Sequence, residues 1–221
     1  GETIIDFVQY GTSKELNEAD QGFPTLRLNE FDSLFIDKPH KYCDKIDGST
    51  FNSLSLKKGD VLICRTNGNP KLVGKSAIVP KDYKYAFASY LFRVRPDYNK
   101  ILPTTLVIYL NSKIGRSEIE KYLMVSNQAN FSPAKFREIM IPKFGDKIQT
   151  LIDNCVWKSF EKHEQSINKY QQTQTLLLSE LGLVNWQPKH QLTFIKNYSD
   201  TQQGERIDAE YYQPKYEEII K

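Results

Sequence analysis

Several things are scarce in this chain, and each scarcity removes a class of function. No apolar run approaches the length a membrane-spanning helix needs. No signal-peptide pattern opens the chain, which begins at Gly1 without a methionine, as a trimmed chain would. Cys43, Cys64 and Cys155 are odd in number and lack metal-ligand spacing. That argues against a disulfide framework or a zinc module and for reduced thiols in a cytoplasmic protein. Cys64 lies in an apolar stretch and suits a small core position. There is no GxGxxG, P-loop, HExxH or CxxC, and no defensible Ser-His-Asp order. Asn69-Pro70 superficially matches the NPPY tetrapeptide of adenine methyltransferases, but continues as Lys71-Leu72 with no glycine-rich cofactor loop. The carboxylates are dispersed. Asp32 with Asp37, and Asp44 with Asp47, lack metal spacing, and Asp60 to Lys75 is a poor match to a PD-(D/E)xK nuclease. The expectation is therefore no enzyme, no cofactor, no metal and no membrane partner.

What is present suits a globular protein: 39% hydrophobic residues, including 12% aromatics, can build a core. The net charge of +3 is modest, but its distribution is uneven. Lys57 to Arg95 holds nine Lys or Arg against two Asp, a local net of +7, whereas Asp200 to Lys221 has a local net of −3. A basic middle beside an acidic tail fits one face built for a polyanion.

The most informative stretch is LKKGDVLICRTNGNPKLVGKSAIV, residues 56 to 79. Two apolar strands, Val61 to Cys64 and Ser76 to Val79, flank a polar loop containing Asn67-Gly68, which gives a hairpin-like excursion. The loop carries Arg65, Thr66, Asn67, Asn69, Lys71 and Lys75 and almost nothing that could be buried. Such side chains read base edges and grip phosphates, although a solvated loop can look the same.

Up to about residue 145 short strands alternate with helices, an α+β pattern. Strands are expected at Ile4 to Tyr10, Thr25 to Leu28, Leu91 to Arg95 and Met140 to Pro142, besides the two above. Helices are expected from Pro103 to Leu123 and over Ser132 to Ile139, each with proline at its first helical turn. Then the period changes. Ile148 to Leu181 lacks proline and glycine, and Val156, Phe160, His163, Ile167, Tyr170, Gln174, Leu177 and Leu181 alternate steps of four and three. That is a coiled-coil seam with two polar positions, His163 and Gln174, which set register. Gly182 stands where a C-terminal cap is expected. The rod would be about 50 Å long and would need a second helix, from another half or another chain. The implied organisation is a domain over 1–145, a helix over 146–183, and a linker with the start of a second half over 184–221.

Taken together, several segments resemble the specificity subunit of type I restriction–modification enzymes. They are YGTSKELN at Tyr10 to Asn17, GFPTLRLNEF at Gly22 to Phe31, KKGDVLICRTNGNPKLVGKSAIV, SNQANFSPAKFREIMIP at Ser126 to Pro142, the long helix, and RIDAEYYQPKYEEI from Arg206. They occur in the family's order over nearly the whole chain. At the junction IPKFGDKIQ replaces the common IPLPPLxEQ, although Gln149 matches the family's glutamine.

This resemblance implies a non-catalytic reader of double-stranded DNA, with one target-recognition domain per half-site and two antiparallel helices as a ruler. Its implied partners are DNA methyltransferase subunits and motor–nuclease subunits. With one recognition domain, the chain would be a fragment, a truncated product or a half-subunit that forms a homodimer through its helix. A 50 Å ruler corresponds to about 15 base pairs. Arg65, Thr66, Asn67, Asn69 and Lys71 are expected to contact groove and phosphate, with Lys75 and Ser76 on the DNA backbone. Tyr10, Thr12, Ser13 and Lys14 form a second polar loop. Ser126, Asn127, Gln128 and Asn130 suit either adenine or turn capping, and Arg93 and Arg95 either phosphates or a solvated strand face. The competing reading is an assembly module whose helix recruits a methyltransferase or other subunit, with DNA contact secondary.

Overall fold

A computed structural model describes residues 1–125, 129–187 and 192–216. By packing, the chain divides into two units, Gly1–His163 and Glu164–Lys221. The boundary expected at residue 145 therefore marks a change of secondary structure rather than of packing.

The first unit is α+β. Its main sheet is built on three antiparallel strands, β1 (Ile5–Tyr10), β10 (Leu91–Pro96) and β6 (Val61–Cys64), extended by β8 (Ser76–Ile78), β4 (Phe35–Ile36) and β3 (Phe31–Asp32) in that order. A second small sheet joins β5 (Tyr42–Cys43), β2 (Phe23–Leu26) and β9 (Ala86–Phe87). A third joins β11 (Met124–Val125), β12 (Ala129–Asn130) and β7 (Thr66–Asn67).

Both faces of the main sheet are covered, which explains why β6 is apolar throughout. Val61 and Ile63 face a core shared with Phe92, Phe131, Phe136 and helix α2 (Pro103–Asn111). Leu62 and Cys64 face a second core with Leu26, Phe87 and helix α1 (Gly48–Leu54). α1 escapes sequence reading because GSTFNSL has poor helix propensity. The Asp47 cap, bonding the Thr50 amide at 2.6 Å, and burial of Phe51 and Leu54 hold it instead.

The helix expected from Pro103 to Leu123 is broken in two. Ser112 leaves the helical region and caps α3 (Lys113–Glu120) by accepting from the Gly115 amide at 3.1 Å. α4 (Pro133–Glu138) starts as its sequence suggests, with Ser132 accepting from the Lys135 amide. Met140–Pro142 does not form the expected strand. The Met140 amide donates to Glu118 and its carbonyl accepts from the Tyr109 hydroxyl at 2.7 Å, so side chains replace a ladder.

Arg93 corrects another expectation. The alternation of FRVR holds, but the face carrying Arg93 is covered, and Arg93 is 2% exposed. Its guanidinium donates to the Ser53 and Ser55 carbonyls at the C-terminus of α1 and to Gln9, and reaches Asp60 at 3.2 Å. Asp60, 1% exposed, also accepts from Arg95 Nε at 2.8 Å and Nη2 at 3.0 Å, and from the Lys57 amide at 2.9 Å. Arg93 is thus a core residue rather than a phosphate ligand, and Arg95 is tied to the same carboxylate.

Helix α5 (Asp146–Glu180) begins docked on the first unit. Gln149 Oε1 accepts from the Leu102 amide at the start of α2, and its Nε2 donates to the Phe144 carbonyl. Asp153 accepts from Thr104 and from Trp157. Val156 is buried and Phe160 packs against Phe35 with ring centroids 5.0 Å apart. His163 lies 3.5 Å from Asp32. The first third of the expected seam is therefore satisfied by the chain's own domain, a correction to the idea that the whole seam seeks a second helix. Ile167, Tyr170, Leu177 and Leu181 are exposed. The helix ends as its sequence suggests: Gly182 has φ 67°, its amide donates to Ser179, and the Leu183 amide donates to Leu178. α6 (Tyr198–Gly204) follows in the second unit. No helix among the described residues is long and apolar enough to cross a membrane.

Removing one partner of a buried ion pair strands the other. Asp60→Ala is expected to lower unfolding free energy by about 3–5 kcal/mol in denaturant titration. A loss below about 1 kcal/mol would refute the anchoring role. Burial also pushes the Cys64 thiol up to about 11, Cys43 is buried and Cys155 exposed. A thiol reagent should label one cysteine quickly in the native chain and the other two only after unfolding. Fast labelling of two or more would contradict the packing of β5 or β6.

Candidate nucleic-acid interface

β1 and β6 end, and β10 begins, at the same end of the main sheet. Tyr10 at the end of β1 pairs with Phe92, and Cys64 at the end of β6 pairs with Leu91. The residues just beyond these ends, Gly11 to Lys14, Arg65 onward and Tyr90, are thereby placed together. Loops on a rigid sheet edge are where binding groups are best held in position.

The central excursion is closed at its neck by two hydrogen bonds, from the Gly74 amide to the Cys64 carbonyl and from the Cys64 amide to the Lys75 carbonyl, both 2.8 Å. Beyond the neck the loop is not free. Thr66 lies opposite Asn130 and Asn67 opposite Ala129, and Thr66 Oγ1 donates to the Ala129 carbonyl at 3.1 Å. The sequence places these segments some 60 residues apart; the fold makes them neighbouring strands. Ser126, Asn127 and Gln128 lie outside the described residues, but Asn130 belongs to this sheet.

Asn67 and Asn69 shape the loop themselves. Asn67 Oδ1 accepts from the Asn69 amide at 2.8 Å, and Asn69 Oδ1 accepts from the Lys71 amide at 3.0 Å. These are side-chain-closed turns. They engage the acceptor ends of both amides and leave the donor ends. Lys71 is exposed, and its carbonyl is held by Arg116 Nη2 at 3.0 Å.

Arg65 sits at the centre. Its amide donates to the Tyr90 carbonyl and its carbonyl accepts from the Phe131 amide, both at 2.7 Å. Its guanidinium lies over the ring of Tyr10 at 5.3 Å, and Tyr10 is 48% exposed. The other six arginines are committed. Arg27 bonds Glu30, Arg93 and Arg95 bond Asp60, Arg116 bonds the Lys71 carbonyl, Arg137 bonds Glu2 and Arg206 bonds Asp208. Among the described residues, the Arg65 guanidinium alone has no hydrogen-bond acceptor and no carboxylate.

The second polar loop adjoins this centre through Tyr10. Gly11 passes so close to the Phe87 and Ala88 carbonyls that a Cβ would meet them at 2.2 and 2.4 Å. The Thr12 amide bonds the Phe87 carbonyl, and Thr12 Oγ1 accepts from the Lys14 amide. Thr12 is a nearly buried turn former, while Ser13 and Lys14 are exposed. With Lys45, Asp47 and Thr50 they line an open polar groove of about 490 Å³.

Other expected contacts fall away from this surface. Ser76 is fully buried, bonded to Asn111 through its backbone and to the Gly74 carbonyl through its hydroxyl. Lys75 points to the Phe31 carbonyl at 3.5 Å. Three of the nine cations in that stretch lie against its two acids, Lys57 on Asp82 and Arg93 and Arg95 on Asp60, so they are not free for a ligand. Sequence reasoning missed Tyr90 and Arg116. Neither carries a local signal, because each matters through its contact with the excursion.

No protein-family model and no curated protein matches the sequence. Among solved structures, one chain of a type I restriction–modification system is 17% identical with a TM-score of 0.49, over 79% of this chain and 40% of that one. The HsdS subunit of Thermoanaerobacter tengcongensis is 16% identical with a TM-score of 0.45, over 74% of this chain and 37% of its own. This chain therefore spans less than half the length of either, and its functional reading has to come from its own residues.

Proposed function

We propose that this chain reads a short DNA sequence without catalysing a reaction, as a specificity subunit or half-subunit of a type I restriction–modification enzyme. The observation that carries the reading is Arg65, an uncompensated guanidinium at the centre of a braced, donor-rich edge. The ordered family-like segments supply the biological setting: double-stranded DNA as ligand, methyltransferase subunits that methylate adenine, and motor–nuclease subunits that cleave. In this reading Lys14 and Lys71 meet phosphates, and Arg65 with Asn67, Asn69 and Asn130 faces base edges.

Selection from a randomised duplex library at physiological salt, with and without a methyltransferase subunit, tests the proposal. A short motif should be enriched, most strongly with the partner. No enrichment in either condition would refute it. Lys71→Gln should weaken binding to all sequences alike and lower the slope of log affinity against log salt by about 1. An unchanged slope would remove Lys71 from the phosphate contacts.

A second reading concerns assembly and is compatible with the first. Exposed Ile167, Tyr170, Leu176 and Leu177 on α5, with Leu181 just beyond its end, favour pairing with another helix, from a second copy or a partner subunit. Ile167→Asp should abolish self-association or partner capture in sedimentation while leaving the thermal midpoint of the domain unchanged. Unaltered association would exclude this face.

A further inference from the structure

The edge around Arg65 is rich in hydrogen-bond donors. Asn67 and Asn69 each use their carbonyl oxygen to close a turn, and their amide nitrogens are not needed for it. Arg65 contributes a planar fork of N–H groups and has no carboxylate to leave before it can bind, among the described residues. In the major groove the four bases differ in what they present. Adenine shows an acceptor and a donor, cytosine a donor, thymine an acceptor and a methyl group; guanine shows two adjacent acceptors, N7 and O6. The Arg65 fork, which donates and cannot accept, therefore matches guanine better than any other base.

The way Arg65 is held supports base reading over diffuse charge. Hydrogen bonds at both its backbone amide and carbonyl fix the root of the side chain. The ring of Tyr10 then limits the plane in which the guanidinium can lie. A phosphate can also be met by a flexible lysine acting as a point charge, whereas a bidentate contact to a base edge needs the fork aimed in advance.

We propose that Arg65 is a specificity-determining residue that grips guanine N7 and O6 in the major groove, with Tyr10 as its positioning residue. This rests on the DNA-reading function proposed above, and names one base of the half-site by its chemistry.

The test uses the full chain and the duplex motif enriched by the wild type. The motif should contain one guanine whose replacement by 7-deazaguanine, which lacks N7, lowers affinity roughly 5- to 30-fold, within the range expected for loss of a bidentate contact. Arg65→Lys keeps the charge and loses the fork, so selection with it should return the same motif with that position randomised. Tyr10→Leu should weaken preference at the same position only. A motif without guanine, indifference to 7-deazaguanine at every guanine, or a Lys variant that keeps the preference would overturn the assignment while leaving DNA reading intact. Should either variant fail to fold, the 7-deazaguanine series on the wild type decides alone. Absence of any enriched motif would overturn DNA reading and this inference together.

Discussion

Asp60 sits at the start of β6 with both oxygens occupied, joined to Arg93 and Arg95 on the neighbouring strand and to the Lys57 backbone. Through Arg93 the same cluster reaches the end of α1 and Gln9 on β1. A single carboxylate thus ties three strands and a helix at one place between two apolar layers. The buried Arg93 guanidinium would be untenable there without it, and the buried acid would be untenable without its cations. The cluster fixes the register of β1, β10 and β6, and register decides which residues emerge at the far edge of the sheet.

The edge around Arg65 inherits its order from that frame. Tyr10, Tyr90 and Arg65 are brought together only because β1 and β6 end in step where β10 begins. The excursion beyond Cys64 would be a loose loop if it were held only at its neck. Pairing with Ala129–Asn130, the Arg116 contact to Lys71 and two side-chain turns brace it along most of its length. The chain has spent its arginines on structure, with one exception, and that exception occupies the centre of the braced edge.

Much of the fold was legible where local chemistry dominates. The apolar runs flanking Asn67-Gly68 gave the hairpin, Ser132-Pro133 gave a helix start, and Gly182 gave a helix end. Each depends on neighbours within a few residues. What stayed hidden depends on distance along the chain. Nothing local distinguishes Arg93, entering a covered face, from Arg65, left at an edge; only the layer containing α1 separates them. The two-residue strands Thr66–Asn67 and Ala129–Asn130 are too short to announce themselves, so the union of two polar segments into one surface could not be read. The heptad was also ambiguous in principle. A four–three spacing states that one stripe of a helix is buried, but not against what, and Val156 and Phe160 are buried against their own domain.

The two ends of α5 consequently have different tasks. Gln149, Asp153 and Trp157 make its beginning part of the first unit. Its later turns carry exposed leucines available to a partner. The central claim, that the sheet edge around Arg65 is the DNA-binding face, is most directly tested by amide hydrogen exchange of the full chain with and without its selected duplex. The account predicts protection at Tyr10 to Lys14, Arg65 to Lys71 and Ala129 to Asn130. Protection confined to Ile167–Leu181, with those loops unchanged, would contradict it.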